Sequence, residues 1–225
     1  MSRRFDVVTF DCYGTLVDWE NGIAEAFSRQ AELDGVPLDR ESLLAAYHAV
    51  EPVVERPPYK SYRAVLAQTA VRVAGRFGWN LSLERAQFLA ASLPLWKPFP
   101  DTNPALVELV AQGYSLGILS NVDDDLLSET RGHLSAVFDV VVTAQQVRSY
   151  KPARNHFLEA RERIEEETRW LHAAQSWFHD VVPGRALGIP VAWINRKGEP
   201  RPDGPTPEVE VRDLAELAEW LRSAA

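Results

Sequence analysis

At 225 residues, with 46% hydrophobic and 25% charged residues, the chain can bury one sizeable core and a smaller second unit, and is too short for a long multidomain assembly. A net charge of -8 and a pI near 5.2 argue against binding to nucleic acid or an anionic membrane, so an anionic substrate needs local Lys or Arg residues. No apolar run is long enough to cross a bilayer, and a single Cys excludes an internal disulfide, which makes the cytoplasm the expected compartment.

The opening MSRRFDVVTFD runs at once into a strand pattern broken by charge and is not read as a signal peptide. Its apolar run VVTF ends on Asp11, followed by Cys12, Tyr13, Gly14 and Thr15. Residues 18 to about 97 then carry helical patterns only. The clearest is Tyr62, Val65, Leu66, Thr69, Ala70, Val73 and Phe77, spaced three and four apart and closed by Gly78. The segment after Leu16 and the proline-rich PLWKPFPD at 94–101 serve as its hinges.

Downstream, Asn103 and Pro104 suit an N-cap and first turn, and Gly113 a stop before the next strand run, YSLGIL, which leads to Ser120. FDVVVT leads to the loop carrying Lys151, AAQSWF leads to His179 and Asp180, and PVAWIN is a fifth strand run. RKGEPRPDGPTPE at 196–208 reads as an exposed loop. Asp213 with Glu216 forms a capping box for a C-terminal helix whose Leu214, Leu217, Ala218 and Leu221 make one apolar stripe.

Strand runs without polar alternation, separated by helices, predict an α/β fold: a Rossmann-like doubly wound parallel sheet that takes ligands at the carboxyl ends of its strands. Asp11, Ser120, Lys151 and Asp180 then collect at one edge. Residues 1–17 and 98–225 form the core, and 18–97 an inserted helical cap above that edge. A carboxylate there can attack an electrophilic carbon or phosphorus to form an ester that water cleaves. Taken alone, Asp11 would be a turn residue satisfying backbone N–H groups. Cys12 reads as a small packing residue. Thr15 and Ser120 place hydroxyls where they hold a substrate carboxylate or orient Asp11, and Ser120 equally suits an N-cap for VDDDLL.

DCYGTL at 11–16, LSN at 119–121, YKP at 150–152 and HDVVPGRALGIPVAWINR at 179–196 resemble, in order, the four motifs of the haloacid dehalogenase superfamily. The Asp-x-Tyr-Gly-Thr opening and the closing WINR resemble its 2-haloacid dehalogenase (type II) branch. The resemblance covers nearly the whole core, but the cap only in position and helical character. It implies that Asp11 is the nucleophile and that the Lys151 ammonium keeps it ionised. Asp180 orders the hydrolytic region or ligates a metal, Asn121 helps hold the departing halide, and Thr15, Ser120 and Tyr13 line the substrate site. Phosphatases of the superfamily carry an Asp two residues after the nucleophile to protonate an alkoxide leaving group. Tyr13 stands there instead, a phenol of ordinary pKa about 10, whereas a halide leaves without a proton.

The leading expectation is therefore a metal-independent hydrolase that displaces halide from a small 2-haloalkanoic acid through an aspartyl ester, with no cofactor. One alternative is a Mg-dependent phosphohydrolase with Asp11, the Tyr13 carbonyl and Asp180 as ligands. Another is a non-catalytic binding protein on the same fold. The resemblance also implies a possible homodimer through the cap helices. Three positions depart from the family. Gln175 and Trp177, around Ser176, replace a Ser-x-Asn pair that positions water, and His179 becomes either the replacement general base or a strand-end cap. Phe157 replaces a frequent Tyr. Arg40, Arg56, Lys60 and Arg63 are the candidates for a cap cation that gathers the substrate anion, and Trp19, Tyr59 and Tyr62 for apolar pocket walls.

Overall fold

The computed structural model describes residues 3–165 and 168–223. In chain order, β1 (Val7–Phe10) is followed by α1 (Trp19–Leu33), α2 (Arg40–Val54), α3 (Tyr62–Arg76) and the short α4 (Phe88–Ser92). Next come α5 (Thr102–Ala111), β2 (Ser115–Ser120), α6 (Asp124–Arg131), β3 (Val140–Thr143), the single turn α7 (Ala144–Val147) and α8 (Asn155–Arg163). The chain ends with β4 (Trp170–Ala174), a π-helical turn (Trp177–Val181) running into α9 (Val182–Ala186), β5 (Val191–Ile194), β6 (Val209–Val211) and α10 (Leu214–Ser223).

All six strands are parallel, in the order β3-β2-β1-β4-β5-β6. This is the Rossmann-like doubly wound sheet that the alternation predicts. Residues such as Phe10, Ile118, Leu119, Val142, Ala173 and Val191 are fully buried, as parallel strands covered on both faces require. The strand order reverses at β1, which lies between β2 and β4. Asp11, the next residue, thus stands at the switch point where such sheets open their ligand crevice.

The structure corrects several local expectations. The strand before Asp180 is Trp170–Ala174, not AAQSWF. Ser176 Oγ accepts the His179 N–H at 3.1 Å, and Ser176 O accepts from Asp180 N and Val181 N at 3.1 and 3.2 Å, so residues 177–181 coil up. The apolar rings of that run belong to the turn: Trp177 packs edge-on against Trp193 at 5.0 Å. The N-cap of α5 is Asp101, and the Asn103 amide instead ties His133 O at 3.0 Å and Ser135 N at 2.8 Å. Ser120 is not the N-cap of α6, which is Asp123. The capping box of α10 closes one residue early: Asp213 Oδ1 accepts from Glu216 N at 2.9 Å, and Glu216 reaches back to the N–H of Arg212 at 2.7 Å. The three-residue β6 lies beyond these runs, too short and too exposed to show an apolar pattern.

Two compact units divide the chain. A sheet unit comprises Met1–Val17, Pro98–Asn121 and His133–Ala225, and a helical unit comprises Asp18–Lys97 and Val122–Gly132. In the helical unit Asp18, Asp39 and Ser61 cap α1, α2 and α3. Asp123 caps α3 a second time, its two oxygens accepting from Tyr62 N and Arg63 N at 2.9 Å each. The core of this unit is apolar and aromatic, with the Phe27 ring edge-on to Phe88 at 5.2 Å. Trp96 lies so close to Gly22 that a Cβ there would fall 2.3 Å from the indole Cγ. Among the described residues no helix is long and apolar enough to cross a membrane.

Candidate active site

Every group of the site lies in the sheet unit: Asp11 and Ser120 at strand ends, Lys151 in the loop after α7 and Asp180 in the π-helical turn after β4. Past Asp11 the chain turns back through Gly14, whose φ of 99° is the left-handed conformation glycine allows without strain. Leu16 N and Val17 N both return to Cys12 O, at 2.8 and 3.0 Å. This loop delivers Thr15 Oγ1 to Asp11 Oδ2 at 2.9 Å, and the same hydroxyl accepts the Gln175 N–H at 2.9 Å. Thr15 thus orients Asp11. Its carbonyl is held by Arg196 Nη2 at 2.8 Å, and Arg196 in turn forms two 2.9 Å bonds with Asp101 and lies 3.9 Å over the Phe99 ring.

The Lys151 side chain is 1% exposed, and each of its three ammonium hydrogens has an acceptor: Asp180 Oδ1 at 2.7 Å, Leu119 O at 2.8 Å and Asp11 Oδ1 at 2.9 Å. Asn121 locks its backbone, accepting the Lys151 N–H at 2.7 Å and donating to Lys151 O at 3.1 Å. This uses one of the two Asn121 amide hydrogens. Asp180, brought round by the π-helical turn, also receives His172 Nε2 at 3.0 Å on Oδ1. Its other oxygen, Oδ2, is buried with no hydrogen-bond partner among the described residues, and so is Ser120 Oγ. The Ser120 carbonyl takes His156 Nε2 at 3.1 Å.

Two carboxylates share one ammonium. Burial pulls the Lys151 pKa down, but Asp11 and then Asp180 outweigh it and hold the lysine charged. Burial also pushes Asp180 up, yet the charge of Lys151 and the His172 hydrogen bond bring it well below the usual carboxylate range. Asp11 ends above its ordinary value, raised mainly by burial and further by Asp180 against the pull of Lys151. Asp180 is therefore the settled charge of the pair and Asp11 the more basic, more nucleophilic one. His156 is pushed down to about 3 by burial and the nearby Lys151 charge and is neutral. Burial lowers His179 as well, and its Nδ1 lies 2.9 Å from Ser176 Oγ.

The sequence-predicted Asp11, Thr15, Lys151 and Asp180 are joined by direct bonds, with Ser120 and Asn121 beside them through Leu119, Lys151 and their shared strand end. Tyr13 is half-buried and bridges to Val17. The residues that replace Ser-x-Asn work through other atoms: Gln175 O accepts from Trp193 Nε1 at 2.9 Å, and Trp177 is committed to packing. In the helical unit Arg40 bonds Asn21, Lys60 caps Val54 O at 2.6 Å and Arg63 pairs with Asp125 at 2.6 Å, while Arg56 is exposed. Sequence reasoning missed His172, Thr9, Trp170 and His156. The first two announce themselves only through register, since Thr9 and His172 are paired across β1 and β4. Among the described residues no group of three or more His, Cys, Asp or Glu side chains is placed to hold a metal ion.

A family model described as haloacid dehalogenase-like hydrolase matches residues 5–171. An (S)-2-haloacid dehalogenase of Pseudomonas putida is 29% identical over 235 residues, covering 95% of this chain and 96% of its own. A glyceraldehyde 3-phosphate phosphatase of Methanothermobacter thermautotrophicus is 30% identical over 202 residues, 84% of each chain. Among solved structures, the L-2-haloacid dehalogenase from Xanthobacter autotrophicus with chloropropionic acid covalently bound superposes with a TM-score of 0.82 at 21% identity, over 98% of this chain and 100% of that one.

Proposed function

The chain belongs to the haloacid dehalogenase-like hydrolases, a family of enzymes, and from that premise we propose that it displaces halide from a small 2-haloalkanoic acid through an ester on Asp11, without a metal ion. The observation that carries this reading is the buried Lys151 ammonium, 2.9 Å from Asp11 Oδ1 and 2.7 Å from Asp180 Oδ1. It already supplies the positive charge between the two acids. Mg²⁺ is commonly held by one or two carboxylates with waters completing its shell, and here Asp11 Oδ1 and Asp180 Oδ1 both already accept from the ammonium and Asp11 Oδ2 from Thr15.

In this mechanism a carboxylate oxygen of Asp11, held by Lys151 and Thr15, attacks the halogen-bearing carbon. The carbon–halogen bond breaks and the halide leaves with its electron pair, needing no proton, which suits Tyr13 at the position of a second acid. Water then adds to Cγ of the ester and gives a proton to His179. The tetrahedral adduct collapses and the 2-hydroxy acid leaves with that proton, while Asp11, left as a carboxylic acid by the second hydrogen of the water, releases it to solvent and is again a carboxylate. His179 Nε2 is the free base when Nδ1–H donates to Ser176 Oγ, and its lowered pKa keeps it neutral at pH 7. Asp180 Oδ2 is an acceptor for the water, and the Ser120 hydroxyl a donor for the substrate carboxylate. Curated relatives named as (S)-2-haloacid dehalogenases, and the covalent chloropropionic acid of the Xanthobacter autotrophicus relative, support the substrate class and the ester.

A second reading, a Mg-dependent phosphohydrolase acting on a small phosphate ester, draws on the 30% identity to the glyceraldehyde 3-phosphate phosphatase. One panel separates them. Halide release from chloroacetate or racemic 2-chloropropionate in EDTA, abolished in Asp11→Asn, is the expected result. No halide release, with Mg-dependent phosphate release from glyceraldehyde 3-phosphate instead, would replace the first reading by the second. His179→Ala is expected to accumulate a substrate-sized mass adduct on Asp11, and unchanged turnover without an adduct would remove His179 from the mechanism.

A further inference from the structure

Behind Asp180 a buried polar chain crosses the sheet, and hydrogen counting fixes its direction. Trp170 Nε1 can only donate, and it lies 2.7 Å from Thr9 Oγ1. Thr9 Oγ1 therefore accepts from Trp170 and has one hydrogen of its own to place. Among the described residues its other neighbour is His172 Nδ1 at 2.8 Å, so that hydrogen is satisfied only if Nδ1 accepts it. The ring proton then sits on Nε2, which donates to Asp180 Oδ1 at 3.0 Å. Thr9 and His172 are 0% exposed, and the lack of a side chain at Gly117 makes room for Thr9, since a Cβ there would stand 2.9 Å from Thr9 Cγ2. The Phe157 ring closes the other side, edge-on to His172 at 5.2 Å.

We infer that His172 is a positioning residue: Trp170 and Thr9 hold it as the Nε2–H tautomer, so that together with Lys151 it pins Asp180 by Oδ1 and leaves Oδ2 turned toward the water that cleaves the Asp11 ester. The catalytic half of this inference rests on the proposed dehalogenation, whereas the tautomer does not. Attack by Asp11 on the substrate precedes any use of that water. The chain therefore acts on the second chemical step only.

Long-range ¹H–¹⁵N correlation on the full chain labelled with ¹⁵N-histidine reads the tautomer, with the His172 signals assigned by their loss in His172→Leu. A neutral Nε2–H ring that changes to a mixture of tautomers in the isosteric Thr9→Val supports the proposal. An Nδ1–H or doubly protonated ring in the wild type, or a tautomer indifferent to Thr9→Val, overturns it whatever the enzyme's activity. In kinetics with 2-chloropropionate, His172→Leu is expected to keep single-turnover halide release while steady-state turnover falls about a hundredfold and the ester on Asp11 accumulates. His172→Gln, which restores an N–H toward Asp180, recovers part of the rate. Equal loss of both steps in His172→Leu marks a merely structural residue and overturns the positioning role. Should that variant not fold, Thr9→Val carries the same kinetic comparison. If the wild type releases no halide, the dehalogenase reading falls, and the tautomer measurement still decides whether Thr9 and Trp170 set His172.

Discussion

The two units differ in what their buried charges are bonded to. In the sheet unit Lys151, Asp180, His172 and Thr9 are 0 or 1% exposed and bonded to one another, a polar core at the carboxyl edge of an otherwise apolar sheet. In the helical unit the interior is mainly rings and aliphatic chains, the buried acid Asp123 is spent on capping α3, and the ion pairs Arg63–Asp125 and Arg85–Asp34 lie at the surface. Burying an ion pair is costly and adds little net stability over apolar packing, so a fold has no need of one for its own sake. The contrast supports the chemistry proposed for the sheet edge, and the helical unit is built chiefly by packing.

The comparison is broken most severely at Lys151. Lys151→Met leaves two buried carboxylates face to face, and we expect halide release to fall by about a thousandfold or more and unfolding free energy by about 3–5 kcal/mol, read by chemical denaturation. Asp11→Asn is the counterpart: activity vanishes while stability holds or rises, because Asp11 is the acid that burial penalises.

Acidification separates the same two acids. Asp11 has a raised pKa, so it takes up a proton and stops attacking at a pH above the ordinary carboxylate value of 3.8. Asp180 has a lowered one, so its contribution to stability is complete above its unfolded value and is lost only as the pH falls below that, toward its folded pKa. A rate profile alongside a stability profile should show activity failing first and the fold later. Coincident losses would contradict the assignment.

Packing changes in the helical unit should cost stability alone. Gly22→Ala must displace the Trp96 indole, at about 1–3 kcal/mol, with the activity of the folded fraction unchanged. Smallest of all, Arg63→Ala removes an exposed pair and should move unfolding by less than about 1 kcal/mol.

How much of this the sequence disclosed follows the same division. The strand runs were legible because parallel strands buried on both faces are apolar throughout, and the helices of the second unit because α3 repeats its buried positions every three or four residues. Asp11 and Asp180 were legible as acids after apolar runs, whereas Lys151, by itself indistinguishable from a solvated lysine, was legible only through its place in the ordered motifs. Strand β4 was misplaced because Trp177 and Phe178 extend its apolar character into a turn that Ser176 nucleates. Thr9 and His172 were invisible for a different reason. A polar residue inside an apolar strand resembles a packing residue until its neighbour across the sheet is known, and that pairing spans a separation of 163 residues.

That separation bears on how the chain comes together during synthesis. β1 is made first, yet one of its flanking strands begins at Ser115 and the other only at Trp170. Until both have emerged, its backbone edges have no partners and Asp11 is an ordinary solvated acid, with its ammonium still 140 residues away along the chain. Long-range parallel pairing of this kind is slow and leaves a hydrophobic strand open to wrong partners in the interval. Asp11 therefore meets Lys151 only when the central strand is closed on both sides, and on the proposed mechanism a nascent or truncated chain carries the acid without the chemistry.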